Sequence, residues 1–197
     1  MLDRVGDEIA RATSIVRYAA NSSFPAHTHG GGEEFLVLEG VFQDEHGDWP
    51  AGSYVRNPPT SRHTPGSVPG CVIFVKLWQF DPDDRTAVGL RPDDISALRV
   101  ETEPGLGTAL LHRDSRESVL LEDWAPDRST RIYSPGGCEI LVLEGVLSEG
   151  EDILFEGGWL RLPAGNEANL TAGPDGCRLW VKRGHLNPVL YLNGPSA

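Results

Sequence analysis

Apolar residues fall along the chain in short runs rich in Val, Leu and Ile, cut by Gly, Pro, Asp and Asn. That punctuation predicts short β-strands joined by tight turns. Ser14–Ala19 reads as a strand. Phe24-Pro-Ala-His-Thr-His reads as an extended segment running into the Gly30-Gly-Gly32 turn. Glu34–Phe42 is a strong strand, Asp44-Glu-His-Gly-Asp48 a turn rich in Asp and Gly, and Tyr54–Asn57 and Cys71–Phe80 are further strands. Helical expectations are confined to one or two turns within Asp3–Thr13 and a short helix in Pro92-Asp-Asp-Ile-Ser-Ala-Leu.

The pattern occurs twice. Glu34-Phe-Leu-Val-Leu-Glu-Gly40 returns as Glu139-Ile-Leu-Val-Leu-Glu-Gly145, an offset of 105 residues. The same offset carries Gly52 to Gly157, Arg56 to Arg161 and Pro58 to Pro163. After one inserted residue, Cys71-Val-Ile-Phe-Val-Lys76 matches Cys177-Arg-Leu-Trp-Val-Lys182. A fixed offset held across glycines, prolines and strands is the mark of a duplicated unit. The expected division is residues 1–90 and 91–197, with the join in the polar, proline-bearing stretch Asp81–Asp94. Short antiparallel strands must bury one face and hide their edges, so each unit is expected to be a small jelly roll or barrel and the fold all-β.

The chain has 197 residues and a formal charge of −12. Nucleic-acid binding needs a basic face, so no nucleic-acid partner is expected, and neither is an anionic membrane surface. No apolar run reaches the ~20 residues that span a bilayer. The N-terminus lacks the basic-then-apolar order of a signal peptide. Three cysteines, Cys71, Cys138 and Cys177, imply no disulfide framework, and a cytoplasmic protein is the expectation.

The candidate chemistry lies in the first copy. His27-Thr-His29-Gly-Gly-Gly-Glu33 is followed some thirty residues later by His63. His-x-His on a strand puts both imidazoles on one face, and a glycine turn brings a carboxylate back beside them. His63 would close the set from a later strand. Three imidazoles and one carboxylate suit a first-row divalent metal, with zinc, iron, manganese, nickel and copper all open.

At these residues the sequence resembles the cupin superfamily. Its first motif is Gly-x5-His-x-His-x3–4-Glu-x6-Gly, which His27, His29, Glu33 and Gly40 fit. Its second is Gly-x5-Pro-x-Gly-x2-His-x3-Asn, which Gly52, Pro58 and His63 fit. The departures are polar residues for the leading glycine, Thr60 for a glycine and Ser67 for the asparagine. The wider text looks like the ChrR-type subgroup, which includes the metal-bound C-terminal domain of zinc anti-sigma factors and is related to acetylacetone-cleaving dioxygenases. The resemblance covers the second copy in scaffold alone.

Motif spacing selects Glu33 over Glu34, and the duplication separates them again. Glu34 returns as Glu139, whereas Glu33 becomes Cys138, His27 becomes Ile132, His29 becomes Ser134 and His63 becomes Ala168. Residues lost as a set from a unit that keeps its turns and strands read as a site; Glu34 reads as scaffold. Arg56, Lys76 and Glu39 recur as Arg161, Lys182 and Glu144, and so read as structural. His46, His112 and His185 read as non-ligands, Cys71 and Cys177 as packing residues, and Trp78 and Phe24 as candidates for the pocket mouth.

The resemblance implies two tandem cupin domains, the first metal-binding and the second degenerate and metal-free, with a small-molecule ligand in the first pocket. It leaves open a metal-dependent dioxygenase acting on a small chelating carbonyl compound, a ligand- or oxidant-sensing zinc module, and a purely structural bicupin with an incidental metal. No separate general base is visible, so catalytic residues other than the metal ligands stay unassigned. The anti-sigma relatives hold their sigma factor through a helical domain with a His-x3-Cys-x2-Cys stretch. Nothing before Ser14 carries one, so sigma binding is not expected. The second copy is expected to pack against the first as cupin monomers dimerise, and a homodimer stays among the expected partners.

Overall fold

In the computed structural model, residues 1–7 and 9–186 are described; residue 8 and residues 187–197, the end of the second expected domain, lie outside the description. The chain divides into two compact units, Met1–Ser96 and Ala97–Ala197.

The N-terminal unit contains β1 (Asp3–Val5), β2 (Arg11–Tyr18), β3 (Ser22–Ser23), β4 (His27–Thr28), β5 (Glu33–Asp44) and β6 (Gly47–Pro50). It continues with β7 (Tyr54–Asn57), β8 (Arg62–His63), β9 (Gly66–Ser67), β10 (Cys71–Leu77), β11 (Val88–Leu90) and α1 (Pro92–Ala97). The main path of its larger sheet runs β1-β2-β10-β5-β7-β11, while β4 and β8 form a separate two-stranded ladder. Phe35, Val37, Phe42, Val55, Ile73 and Val75 form one core cluster, and the alternate positions Glu34, Leu36, Phe74 and Lys76, on the other face, are buried as well.

One expectation is overturned. Asp3–Thr13 is not helical: β1 and β2 form a hairpin in which Asp3 pairs with Thr13 and Val5 with Arg11, and an Asp3–Arg11 ion pair joins the two strands. Ala12 and Thr13 are drawn into the interior because β2 also pairs with β10 along Ala12–Tyr18. That long-range pairing outweighs weak local propensity. The short helix at Pro92–Ala97 forms and buries Ile95.

The C-terminal unit contains β12 (Arg99–Glu103), β13 (Leu106–Arg113), β14 (Ser118–Trp124), β15 (Ser129–Ser134), β16 (Cys138–Glu149), β17 (Asp152–Leu154), β18 (Trp159–Leu162) and β19 (Asn166–Arg183). Its sheet runs β12-β13-β14-β19-β16-β17, so the pairing of β2, β10, β5 and β7 recurs as β14, β19, β16 and β18. Gly40 and Gly145 show why a glycine returns in both copies. Each has positive φ, 69° and 78°, and a Cβ there would sit 2.0 Å from the Gly70 carbonyl oxygen and 2.3 Å from that of Gly176.

The recurring charged residues are structural. Glu34 lies across from Arg56 and Lys76, and Glu139 across from Arg161 and Lys182. Arg56 pairs with Asp84 at 2.5 Å, and Lys182 with Glu117 at 2.9 Å in the interior.

Candidate metal centre

The register of the small ladder assembles the site. In β4 and β8, His27 and His63 are direct cross-strand partners, the arrangement that brings side chains closest across antiparallel strands. His29 lies just past β4, fixed by its N–H donating to the Ser61 carbonyl and its carbonyl accepting from Thr60 N–H, both at 2.9 Å. The glycine turn then starts β5 at Glu33. Potential ligand nitrogens of His27, His29 and His63 lie within 4.8 Å of one another. His29 and His63 meet Nε2 to Nε2 at 3.0 Å, and Glu33 Oε2 is 3.4 Å from His29 Nε2 and 3.5 Å from His63 Nε2.

Two of the imidazoles are oriented by their other nitrogen. His27 Nδ1 is 3.0 Å from the Pro25 carbonyl oxygen, so it carries the proton and leaves Nε2 with its lone pair. His63 Nδ1 lies 3.3 Å from Asp44 Oδ2. The other Asp44 oxygen accepts from Trp49 Nε1 at 3.2 Å and from the His46 backbone N–H at 2.9 Å. In sequence Asp44 is only the first residue of a turn rich in Asp and Gly; its side chain is buried against His63.

The adjacent glutamates separate by strand alternation. Glu33 points to the imidazoles, with Asn57 donating to it at 3.1 Å, while Glu34 accepts from the Tyr54 hydroxyl at 2.8 Å. Burial pushes the Glu33 carboxyl up, against the pull of His63 and Asn57. Burial, with His63 and His27 alongside, lowers His29 to about 4, so that ring is neutral at pH 7. Burial opposes charge on His63 too, yet Asp44 and Glu33 raise it. Hydrogen bonds from His63, Trp49 and His46 hold Asp44 low in spite of its burial. Two imidazole nitrogens 3.0 Å apart beside a buried carboxylate mark a place where positive charge is stabilised. Three imidazoles and a carboxylate are donors that a divalent first-row ion takes.

A cavity of about 350 Å³ opens over this cluster, lined by His27, His29 and Glu33 and by apolar side chains of β2 and β10. Trp78 lines it. Phe24 does not; it stacks edge-on against Tyr18 at 5.0 Å and is exposed. Arg17 is the partner of Glu39, and Arg178 of Glu144.

The second unit carries different groups at each equivalent place. Ile132 and Ala168 are direct cross-strand partners, as His27 and His63 are, and Ser134 and Cys138 are buried. The Cys138 thiol is pushed up to about 12, first by burial, and packs in an apolar core with Ile140, Leu162, Ala168 and Val181. The unit also gathers His112, Asp114 and Glu117. There Asp114 caps its own turn through the N–H groups of Arg116 and Glu117, and Glu117 already pairs with the buried Lys182 ammonium. A cation would meet that ammonium. His46 is exposed, and His185 is buried 3.2 Å from Glu139.

Residues 1–81 match the family model described as the ChrR cupin-like domain. None of the curated proteins matches the chain. A protein from Nostoc punctiforme described as a candidate dioxygenase superposes with a TM-score of 0.76 at 18% identity, over 88% of this chain and 70% of that one. Salicylate 1,2-dioxygenase from Pseudoaminobacter salicylatoxidans, in complex with gentisate, gives 0.68 at 11% identity over 91% and 70%. Procruciferin, an 11S globulin from Brassica napus, gives 0.63 at 10% over 89% and 77%. At such identities the likeness is one of fold, and the alignments extend over most of this chain. No helix among the described residues is long and apolar enough to cross a membrane.

Proposed function

From a chain built of two cupin domains in tandem, we propose that the N-terminal domain holds one divalent transition metal, zinc, iron, manganese or nickel, through His27, His29, Glu33 and His63. In this reading it acts on a small chelating carbonyl compound in an oxygenase-type reaction, and the C-terminal domain is metal-free. The observation that carries the reading is the convergence of three imidazoles within 4.8 Å beside a buried carboxylate, at the wall of a cavity of about 350 Å³.

When bound, the metal supplies Lewis-acid polarisation and a template for a chelating substrate. The chain's own residues do the rest. Glu33 brings a negative charge that partly neutralises the ion. His27 and His63 are held with one nitrogen toward the cluster by Pro25 and Asp44. Val16, Ile73, Val75 and Leu77 give the cavity an apolar wall.

Protein purified without added metal is expected to retain one equivalent of a divalent ion and, loaded with iron, to consume oxygen with a β-diketone panel. A chain that retains no metal and takes up none from zinc, iron or nickel salts would refute the reading. A second reading, a zinc module that senses a ligand or oxidant, is favoured by the ChrR cupin-like match over residues 1–81. Stoichiometric zinc without turnover selects it.

A further inference from the structure

The second unit differs from the first in more than its ligand positions. Asn57 ends β7 directly across from Glu33, and the equivalent pair of the second unit is Leu162 across from Cys138. The backbone setting is common to both copies. Each residue closes a short strand paired with the long β5 or β16, and each is followed by a proline, Pro58 or Pro163. Leu162 packs into the apolar core of its unit with Cys138 and Ile140. The fold therefore does not demand an amide at this place. The amide stands only where a carboxylate faces it.

The contact falls on one particular atom. Asn57 Nδ2 donates to Glu33 Oε2 at 3.1 Å, and Oε2 is also the oxygen that lies 3.4 Å from His29 Nε2 and 3.5 Å from His63 Nε2. The last torsion of a glutamate side chain is broad, so a carboxylate left to itself turns easily. A hydrogen bond on Oε2 restricts that turning and keeps one oxygen toward the imidazoles.

The kind of donor matters as much as its place. Glu34, one residue on, lies across from Arg56 and Lys76, so its charge is faced by cations of the chain itself. Glu33 has no Lys or Arg partner among the described residues. A guanidinium or ammonium at residue 57 would satisfy the carboxylate and repel an incoming cation. A side-chain amide donates a hydrogen bond and carries no net charge. It thus orients Glu33 without neutralising it.

We propose that Asn57 is a positioning residue of the metal centre: its side-chain amide holds Glu33 with one carboxylate oxygen turned to the imidazoles and leaves the charge of that carboxylate to a divalent cation. The inference rests on the metal reading and adds to the four ligands a residue that acts on the ion only through Glu33.

The test is a double-mutant cycle on the full chain, with zinc affinity read by competition against a chromophoric chelator at fixed pH. The four proteins are the wild type, Asn57→Leu, Glu33→Ala and the two substitutions combined. Three imidazoles suffice to hold zinc, so Glu33→Ala is expected to keep a measurable affinity. Asn57→Leu should weaken zinc binding about tenfold where Glu33 is present, as loss of a ligand's outer partner does, and by less than about twofold where Glu33 is absent. Asn57→Ala adds no bulk and should repeat the result, and urea unfolding of the metal-free proteins checks that each is folded. Where Glu33→Ala holds no zinc, cobalt(II) decides: the visible spectrum of cobalt-loaded Asn57→Ala should differ from that of the wild type, and an unchanged spectrum overturns the inference. Wild-type zinc affinity in both Asn57 variants, or an equal loss with and without Glu33, also overturns the positioning role and leaves the metal reading standing. A wild type that takes up no zinc overturns both.

Discussion

Asp44 gives the sharpest test of the site, because its one hydrogen bond to the cluster is to His63 Nδ1, the nitrogen turned away from it. Its side chain is 1% exposed; Oδ2 faces His63 Nδ1 at 3.3 Å and Oδ1 takes the N–H groups of Trp49 and His46. In Asp44→Asn the amide oxygen must stay with those two donors, since turning the NH2 toward them sets donor against donor. The NH2 then faces His63 Nδ1, which must accept. That forces the ring proton onto Nε2, the nitrogen that points to His29 and Glu33. A charge-assisted hydrogen bond is worth about 1.5–3 kcal/mol. The loss is expected as a roughly 10- to 100-fold weakening of metal binding, the range found when an outer partner of a ligating histidine is removed and equal to about 1.4–2.8 kcal/mol. Zinc competition against a chromophoric chelator at fixed pH measures it, with urea unfolding of the metal-free variant as the control for folding. A folded Asp44→Asn protein that binds zinc within twofold of wild type would refute the argument that Asp44 sets the tautomer.

The two clusters predict a stoichiometry: zinc titration should give one equivalent, abolished by His63→Ala and unchanged by His112→Ala, and a second equivalent lost with His112 would overturn the metal-free assignment of the C-terminal domain. In the metal-free protein His29 is depressed to about 4 from 6.5, so the unfolded chain binds more protons between those values and stability falls as pH drops through that window. His63, raised by Asp44 and Glu33 against its burial, contributes the other way: its stabilisation is present below 6.5 and is lost as pH rises through the elevated value. His29→Gln should therefore flatten the acid side of the urea-midpoint profile between pH 4 and 6.5, and parallel profiles would contradict the sign. Gly40→Ala combines positive φ with a Cβ 2.0 Å from a backbone oxygen and should cost about 2–5 kcal/mol by urea unfolding, whereas a loss below about 1 kcal/mol would show that the two strands can separate there. Cys138→Glu places a carboxyl at a fully buried position beside Ile140 and Leu162 and should destabilise the C-terminal unit by about 3–5 kcal/mol; a Glu tolerated there at little cost would mean that the interior admits a counter-charge.

The sequence made the β architecture readable because strand alternation and turn residues agree, and because the duplication supplied each assignment twice. The four side chains at His27, His29, Glu33 and His63 were legible through spacing and through their joint replacement in the second copy, and β4–β8 register brings them together. Glu33 and Glu34 differ by one residue, and the period of two sends one to the imidazoles and the other to Tyr54. What stayed hidden depends on distant pairing. The Asp3–Thr13 segment has no pattern of its own strong enough to announce a hairpin; β10 recruits it. Asp44 reads locally as any turn aspartate, and only the ladder that seats His63 nineteen residues later turns its carboxylate inward.

Why the second unit lost its set together follows from the same physics. Glu33 is 6% exposed and surrounded by core, a setting in which an isolated carboxylate costs several kcal/mol. It is tolerable because imidazoles, with their proton or a cation between them, lie within 3.5 Å and Asn57 donates to it. Replace the histidines by Ile132, Ser134 and Ala168 and the carboxylate loses every compensating charge while its burial remains. Cys138, a thiol held neutral at a fully buried position, is the stable answer to that problem. The coupling runs in the other direction too. A buried Glu33 either takes up a proton, the direction in which its burial pushes it, or keeps its charge beside a positive one. One proton bridges at most two of the imidazoles, whereas a divalent ion engages three nitrogens and the carboxylate at once. Under the proposed reading, a cation would offset the cost of burying the Glu33 charge, where a proton would instead remove that charge.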